Sequence, residues 1–214
     1  MHISDGVLPV SVTIGTYAVT MAIAAVGVRK TTTDSLPKVA VVTSAFFVAS
    51  LIHVPLGPTS VHLLLPGLVG ILLGPSAFIS IVLGLTLQSL LFQFGGLTAL
   101  GANSIMMGLP ALFCGWLFRR LKGSTLTHHV IAGAFIGFLG VIMAVAILAG
   151  LLYTGGEDFL GVAKLAFIAH LPVAIIEAII AASTVAFLFR VKPELLNTSQ
   201  SLSGESRPPY DEST

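Results

Sequence analysis

The chain opens Met1-His2, and a free amino terminus there offers a cation three nitrogens from two residues: the terminal amine, the His2 backbone nitrogen and the His2 imidazole Nδ1. Consecutive donors of this kind close small chelate rings. One more nitrogen would complete a roughly planar set, the geometry that favours Ni(II) or Cu(II), whereas zinc prefers a tetrahedron and magnesium wants oxygen. His62 is the best source of that fourth donor, expected on the first turn of a short helix directly after the Gly57-Pro58 break. A chain start that folds inward, with Asp5-Gly6 and Pro9 supplying turn chemistry, would come within reach of it. The plain alternative is a histidine hydrogen-bonded in helix packing, and taken alone each histidine supports either reading.

The elements that must position these residues are set by composition. Of 214 residues 55% are hydrophobic and 9% charged, and the mean hydropathy is +1.01. Ten Lys+Arg and nine Asp+Glu cannot cover one core with a polar surface. The bilayer is therefore the expected solvent. A net charge of +1 excludes a nucleic-acid partner bound through a broad basic surface. The single cysteine, Cys114, excludes an intramolecular disulfide or a cysteine-cluster metal site.

Polar punctuation divides the chain into seven expected transmembrane helices, giving an all-α polytopic helical bundle: Val7 to Val28, Val39 to Val54, Ser60 to Leu73, Ser76 to Phe94, Ser104 to Leu121, Val130 to Tyr153 and Gly161 to Phe189. The third is short and bracketed by Gly57-Pro58 and Gly74-Pro75, which break helices. Irregular backbone at membrane depth must be covered by protein or line a cavity, so 54–60 and the GGLTALGAN loop at 95–103 are expected to pack inward. With the N-terminus outside, Arg29, Lys30, Lys38, Arg119, Arg120, Lys122, Arg190, Lys192 and Arg207 fall on the cytoplasmic side and only Lys164 outside, as the positive-inside rule favours. MHISDG lacks the basic start of a secretory signal, so the first span is expected to be retained. Residues 1–190 read as a single membrane-embedded metal-binding domain, and 191–214, polar and Ser/Pro/Glu-rich, as a disordered cytoplasmic tail.

Other polar residues carry two readings each. Thr59 and Ser60 flank the expected helix start, where hydroxyls cap orphan donors, with support of His62 as the sharper role. Asn103 either satisfies loop carbonyls or holds the N-terminal segment over the metal. His53 reads as an interfacial histidine in preference to a transient ligand. Glu177 is costly at its depth, and His170, two turns earlier, shares its face. An interhelical hydrogen bond is the favoured role for that pair, ahead of a proton or metal relay. His128-His129 suit an interface, and Met106, Met107 and Cys114 suit packing. Ala18, Ala22 and Ala25, and Gly67, Gly70 and Gly74, permit close helix approach, within the bundle or to a membrane partner.

The strings MHISDGVLP, PLGPTSVHLLLPGLVGILLG, LLFQFGGLTALGANSIMMGLPAL and HLPVAIIEA resemble the CbiM/NikM family, the substrate-binding membrane subunits of energy-coupling-factor importers for cobalt and nickel. The resemblance runs from Met1 to about Phe189. It implies an N-terminus folded into the bundle and a square-planar site made by the amine, amide and imidazole of Met1 and His2 with His62 of PTSVH. Ni2+ is then the expected transported substrate, with Co2+ as alternative, because PTSVHLLL is more similar to the nickel branch. It also implies a coupling membrane subunit, a pair of ATPases and often a small accessory membrane protein as partners, in the cell membrane of a prokaryote.

Three function classes follow: an import subunit, a membrane enzyme, and a structural or channel protein. No G-x-x-x-x-G-K-[ST] loop occurs, and GVRKTTTD lacks the Gly-Lys-Thr order, so ATP hydrolysis is expected on another polypeptide. Four nitrogens in a plane leave little room for an activated water, which disfavours a metal-dependent enzyme. A chelate through an amide nitrogen holds an ion too firmly for a channel. The import subunit, not itself an enzyme, is the reading that remains in front.

Overall fold

The computed structural model describes residues 2–56, 59–156 and 160–196. It is built from seven α-helices and one hairpin: α1 (Val10–Lys30), α2 (Leu36–Ser50), β1 (His53–Leu56), β2 (Thr59–His62), α3 (Pro66–Leu73), α4 (Ala77–Phe92), α5 (Leu100–Leu121), α6 (Leu126–Tyr153) and α7 (Leu160–Val191). Among the described residues five stretches are long and apolar enough to cross a membrane, namely 10–30, 66–92, 100–121, 126–153 and 161–191. At 15 residues α2 is shorter than the about 20 that a full span takes. Val10, Ile14, Met21, Ile131, Ile168, Ile179 and Phe187 lie exposed on the helices, a surface that lipid and not water accommodates.

The expected helix over Ser60 to Leu73 is not formed as one piece. Thr59–His62 is a strand, paired antiparallel with His53–Leu56 so that His53 stands opposite His62, and the helix starts only at Pro66. Proline suits the first helical position because its missing donor is an orphan there anyway. His62 is therefore a strand residue and not a first-turn residue, and Ser60 is not a helix cap. For the same reason the second helix stops at Ser50, short of the expected Val54. Antiparallel pairing satisfies the backbone donors of this polar, proline-broken stretch where a helix could not.

Contacts fix the directions of α1 to α5. Tyr17 Oη donates to the Leu97 carbonyl and Thr20 Oγ1 to that of Gly101 at 2.9 Å, so the first half of α1 lies beside the start of α5. The end of α1 meets the start of α4, with Gly27 against Ile79 and Thr31 Oγ1 2.9 Å from Ser76 Oγ. α2 runs alongside α4 in the same sense through Thr43–Ser80, Phe46–Gly84 and Ser50–Gln88. From His62, which stacks on His2, the chain descends past Ala111 and Gly115 at Gly70 and reverses at Gly74–Ser76, where Gly74 has φ +54°. The apolar stretch 66–92 is thus two antiparallel limbs.

Small residues let these limbs approach. A Cβ on Gly70 would stand 2.1 Å from the Ala111 carbonyl oxygen, and one on Gly67 2.5 Å from that of Ile136. Both serve packing inside the bundle. Ala18, Ala22 and Ala25 are exposed. The buried core gathers Phe46, Leu64, Val69, Ile81, Met106 and Met107 among others.

Candidate functional site

The N-terminal segment lies under the 95–103 loop because a small set of polar groups holds it there. Ile3 is buried, and its N–H donates to Asn103 Oδ1 at 2.8 Å while Asn103 Nδ2 donates to the Ile3 carbonyl at 2.9 Å. One amide side chain thereby acts as the neighbouring strand that this backbone lacks. Asn103 sits in the first turn of α5 and not at the end of a loop, since the helix begins at Leu100. Asp5 Oδ1 accepts from the backbone N–H of Thr98 at 2.8 Å, from Thr98 Oγ1 at 2.6 Å and from the Ala99 N–H at 3.3 Å. A carboxylate at the start of α5 also meets the favourable end of the helix dipole. These bonds, the Thr98 hydroxyl first, hold the Asp5 carboxyl below its ordinary value against the opposing effect of burial.

Gly95 and Gly96 make the approach possible. Their φ values are +79° and +74°, a region that side chains disfavour. A Cβ on Gly95 would lie 2.8 Å from Asn103 Nδ2 and 3.0 Å from His2 Cβ, and one on Gly96 2.2 Å from Asp5 Cγ.

So held, His2 meets His62. The ring centroids are 4.7 Å apart with planes inclined by 18°, and the Phe94 ring lies near-parallel to His2 with centroids 6.5 Å apart. His62 is buried, and its Nδ1 lies 2.9 Å from the Leu63 carbonyl oxygen. Because a carbonyl only accepts, Nδ1 carries the proton, which makes Nε2 the ring nitrogen with the basic lone pair. Two imidazoles from positions sixty residues apart in sequence are thus brought face to face, and a cation shared in one plane would require a ring to turn. Met1 lies outside the described residues. Ser60 is in β2. Among the described residues no three His, Cys, Asp or Glu side chains form a metal-holding group.

The remaining polar residues sort themselves. Glu177 Oε1 accepts from the backbone N–H of Leu64 and, at 2.9 Å, of Leu65. It therefore ties α7 to the segment after His62, a hydrogen bond as expected, made to the buried backbone amides that lead into α3 and not to a side chain of a neighbouring helix. His170 Nδ1 bonds the Ala166 carbonyl of its own helix at 2.7 Å. His129 bonds the Thr125 carbonyl at 3.0 Å, and Thr125 Oγ1 caps α6 by accepting from the His128 N–H. Sequence reasoning missed the roles of Asp5 as an anchor and of Glu177 as a backbone acceptor. The Gly95-Gly96 pair was the one local sign that something must come close.

A cavity of about 530 Å³ opens beside the segment, lined by Ser4, Asp5, Ser89, Leu90, Gln93 and 95–97. A smaller one of about 160 Å³ touches His2, Ile3 and Ser4 on the side of α6.

Known proteins share this chain's sequence and shape. Residues 2–195 match the family described as CbiM, cobalt uptake substrate-specific transmembrane region. A Haemophilus influenzae protein named for metal transport is 36% identical over 206 residues, 95% of this chain and 100% of its own length. An Archaeoglobus fulgidus protein named for fused nickel transport, NikMN, is 35% identical over 156 residues, 71% of this chain and 51% of its own length. A crystal structure of a transition metal transporter superposes with a TM-score of 0.72 at 27% identity, covering 95% of this chain and 100% of that one.

Proposed function

From the premise that the chain belongs to the CbiM family and is a transport protein of the membrane, we infer that it is the substrate-capturing subunit of an ATP-driven energy-coupling-factor importer for Ni2+, with Co2+ as the alternative cargo. The Met1 amine, the His2 backbone nitrogen and imidazole, and His62 Nε2 supply the four nitrogens. The observation that carries this reading is the pairing of His2 with His62 at 4.7 Å under a segment that Asn103 clamps on both polar groups of Ile3. Chelation through amine and amide displaces protons, so capture strengthens as pH rises.

The contact directions support seven crossings, the third made of β2, the turn after it and α3. Basic residues gather at the α1, α5 and α7 ends, Arg29, Lys30, Arg119, Arg120 and Arg190, which supports an external N-terminus in a prokaryotic cell membrane. The expected tail over 191–214 does not begin at 191: α7 runs through Val191, and Pro193–Leu196 forms a 3-10 turn with Leu196 buried, its carbonyl accepting from Lys122 Nζ at 3.1 Å. The chain through Leu196 thus packs with the bundle, and the rest of that tail lies outside the described residues. ATP hydrolysis falls to a separate pair of ATPases acting through a coupling membrane subunit. Those partners must distort the bundle on the inner side to release an ion held this firmly.

Elemental analysis tests the reading: protein with an unextended N-terminus, purified after exposure to equal nickel and cobalt, should carry one nickel per chain. A residue added before Met1 should abolish stoichiometric binding. Metal-free protein in the first case, or undiminished nickel in the second, overturns the chelate.

A further inference from the structure

We propose that Glu177 is a positioning residue for the metal ligand His62, acting through the single peptide unit between Leu63 and Leu64. The inference rests on His62 being a ligand. That peptide is gripped on both edges. Its N–H, on Leu64, donates to Glu177 Oε1, and its carbonyl, on Leu63, accepts from His62 Nδ1 at 2.9 Å. A metal-bound histidine ordinarily gives its second N–H to a carboxylate or carbonyl, which fixes ring direction and tautomer and raises basicity. Here the carboxylate acts one peptide further out, polarising the amide whose oxygen receives the imidazole proton.

The backbone around this link needs the support. Leu65, next to Pro66, has φ +51° and ψ +24°, although a residue before proline favours extended angles. Glu177 accepts the Leu65 N–H as well, at 2.9 Å, so one oxygen holds two successive amides at the start of α3. Leu64, Leu65 and Glu177 are all buried, which keeps water from replacing the carboxylate. The bonds span 113 and 112 residues, so displacement of α7 relative to the hairpin loosens His62 without any change in the N-terminal segment. That gives the bundle a lever on ion affinity.

The test uses nickel alone, titrated calorimetrically into full-length protein with a native N-terminus in detergent. Glu177→Gln keeps an acceptor for both amides and should bind within about threefold of the parent, whereas Glu177→Ala should bind about 10- to 100-fold more weakly, the usual cost of losing an outer partner. The deciding comparison is a double-mutant cycle: in a His62→Ala background Glu177→Ala should cost nothing further. Parent protein that binds nickel, with Glu177→Ala equal to it or with additive losses in the cycle, overturns the proposal and leaves the site reading intact. Parent protein that does not bind nickel overturns the site reading itself. Should Glu177→Ala fail to fold, a Gln variant weakened as much as His62→Ala overturns the proposal on its own.

Discussion

Replacing Asn103 with leucine, similar in volume and without hydrogen-bonding groups, isolates the clamp on the N-terminal segment. In the parent the Ile3 N–H and carbonyl each have one bond to this side chain, at 2.8 and 2.9 Å, and Ile3 is 3% exposed. The variant leaves both groups buried and unsatisfied, at about 1–3 kcal/mol each. The 160 Å³ cavity beside His2 and Ile3 can admit water and relieve part of that. A net loss of about 2–4 kcal/mol remains, which is about 30- to 1,000-fold in the docking equilibrium of the segment. Hydrogen exchange at the Ile3 amide reads that equilibrium directly. Apparent nickel affinity scales with the docked fraction, so the docking shift is the ceiling of the loss, and calorimetry should find nickel bound more than about threefold more weakly. Nickel affinity within about threefold of the parent, with Ile3 exchange unchanged, would refute the claim that this clamp presents His2 to His62.

Three further outcomes follow from the same geometry. Gly96→Ala forces a side chain into φ +74° and a Cβ to 2.2 Å from Asp5 Cγ; Ile3 exchange should accelerate while the melting midpoint of the bundle stays close to that of the parent. Asp5, with its carboxyl held below the usual 3.8 by Thr98, stabilises the docked segment above that pH and loses the contribution as pH falls through the folded value. The segment should therefore release only below about pH 4, read as exchange at Ile3, and in Asp5→Asn the acid step should vanish. Gly70→Ala places a Cβ 2.1 Å from the Ala111 carbonyl oxygen and should destabilise the α3–α5 contact by about 1–3 kcal/mol, seen as a lower melting midpoint in detergent.

Helix placement was legible where hydropathy alone decides it. α1, α5, α6 and α7 lie close to their expected bounds, because twenty apolar residues in lipid must satisfy their own backbone and a helix does so locally. The stretch 51–65 was not legible in that way. His53 and His62 pair through a hairpin whose partner is another strand, and a pairing partner is not a property of either segment. The inward packing of 95–103 could be read from irregular backbone at membrane depth, and Asn103 as a holder of the N-terminal segment was one of its two readings, yet that Asp5 joins it could not.

The sequence by itself settled the solvent, the chain's division into apolar spans and the residue types able to offer nitrogen to a cation, since those depend on composition and near neighbours. Only the tertiary structure decided that His62 sits on a strand end, that Asn103 binds both polar groups of Ile3, and that Glu177 reaches the backbone of Leu64 and Leu65. The Asn103 and Glu177 contacts join residues about a hundred apart, and the strand end at His62 depends on a pairing partner, His53, in another segment. Their energy comes from satisfying buried donors and acceptors, which a one-dimensional pattern can demand but cannot pair.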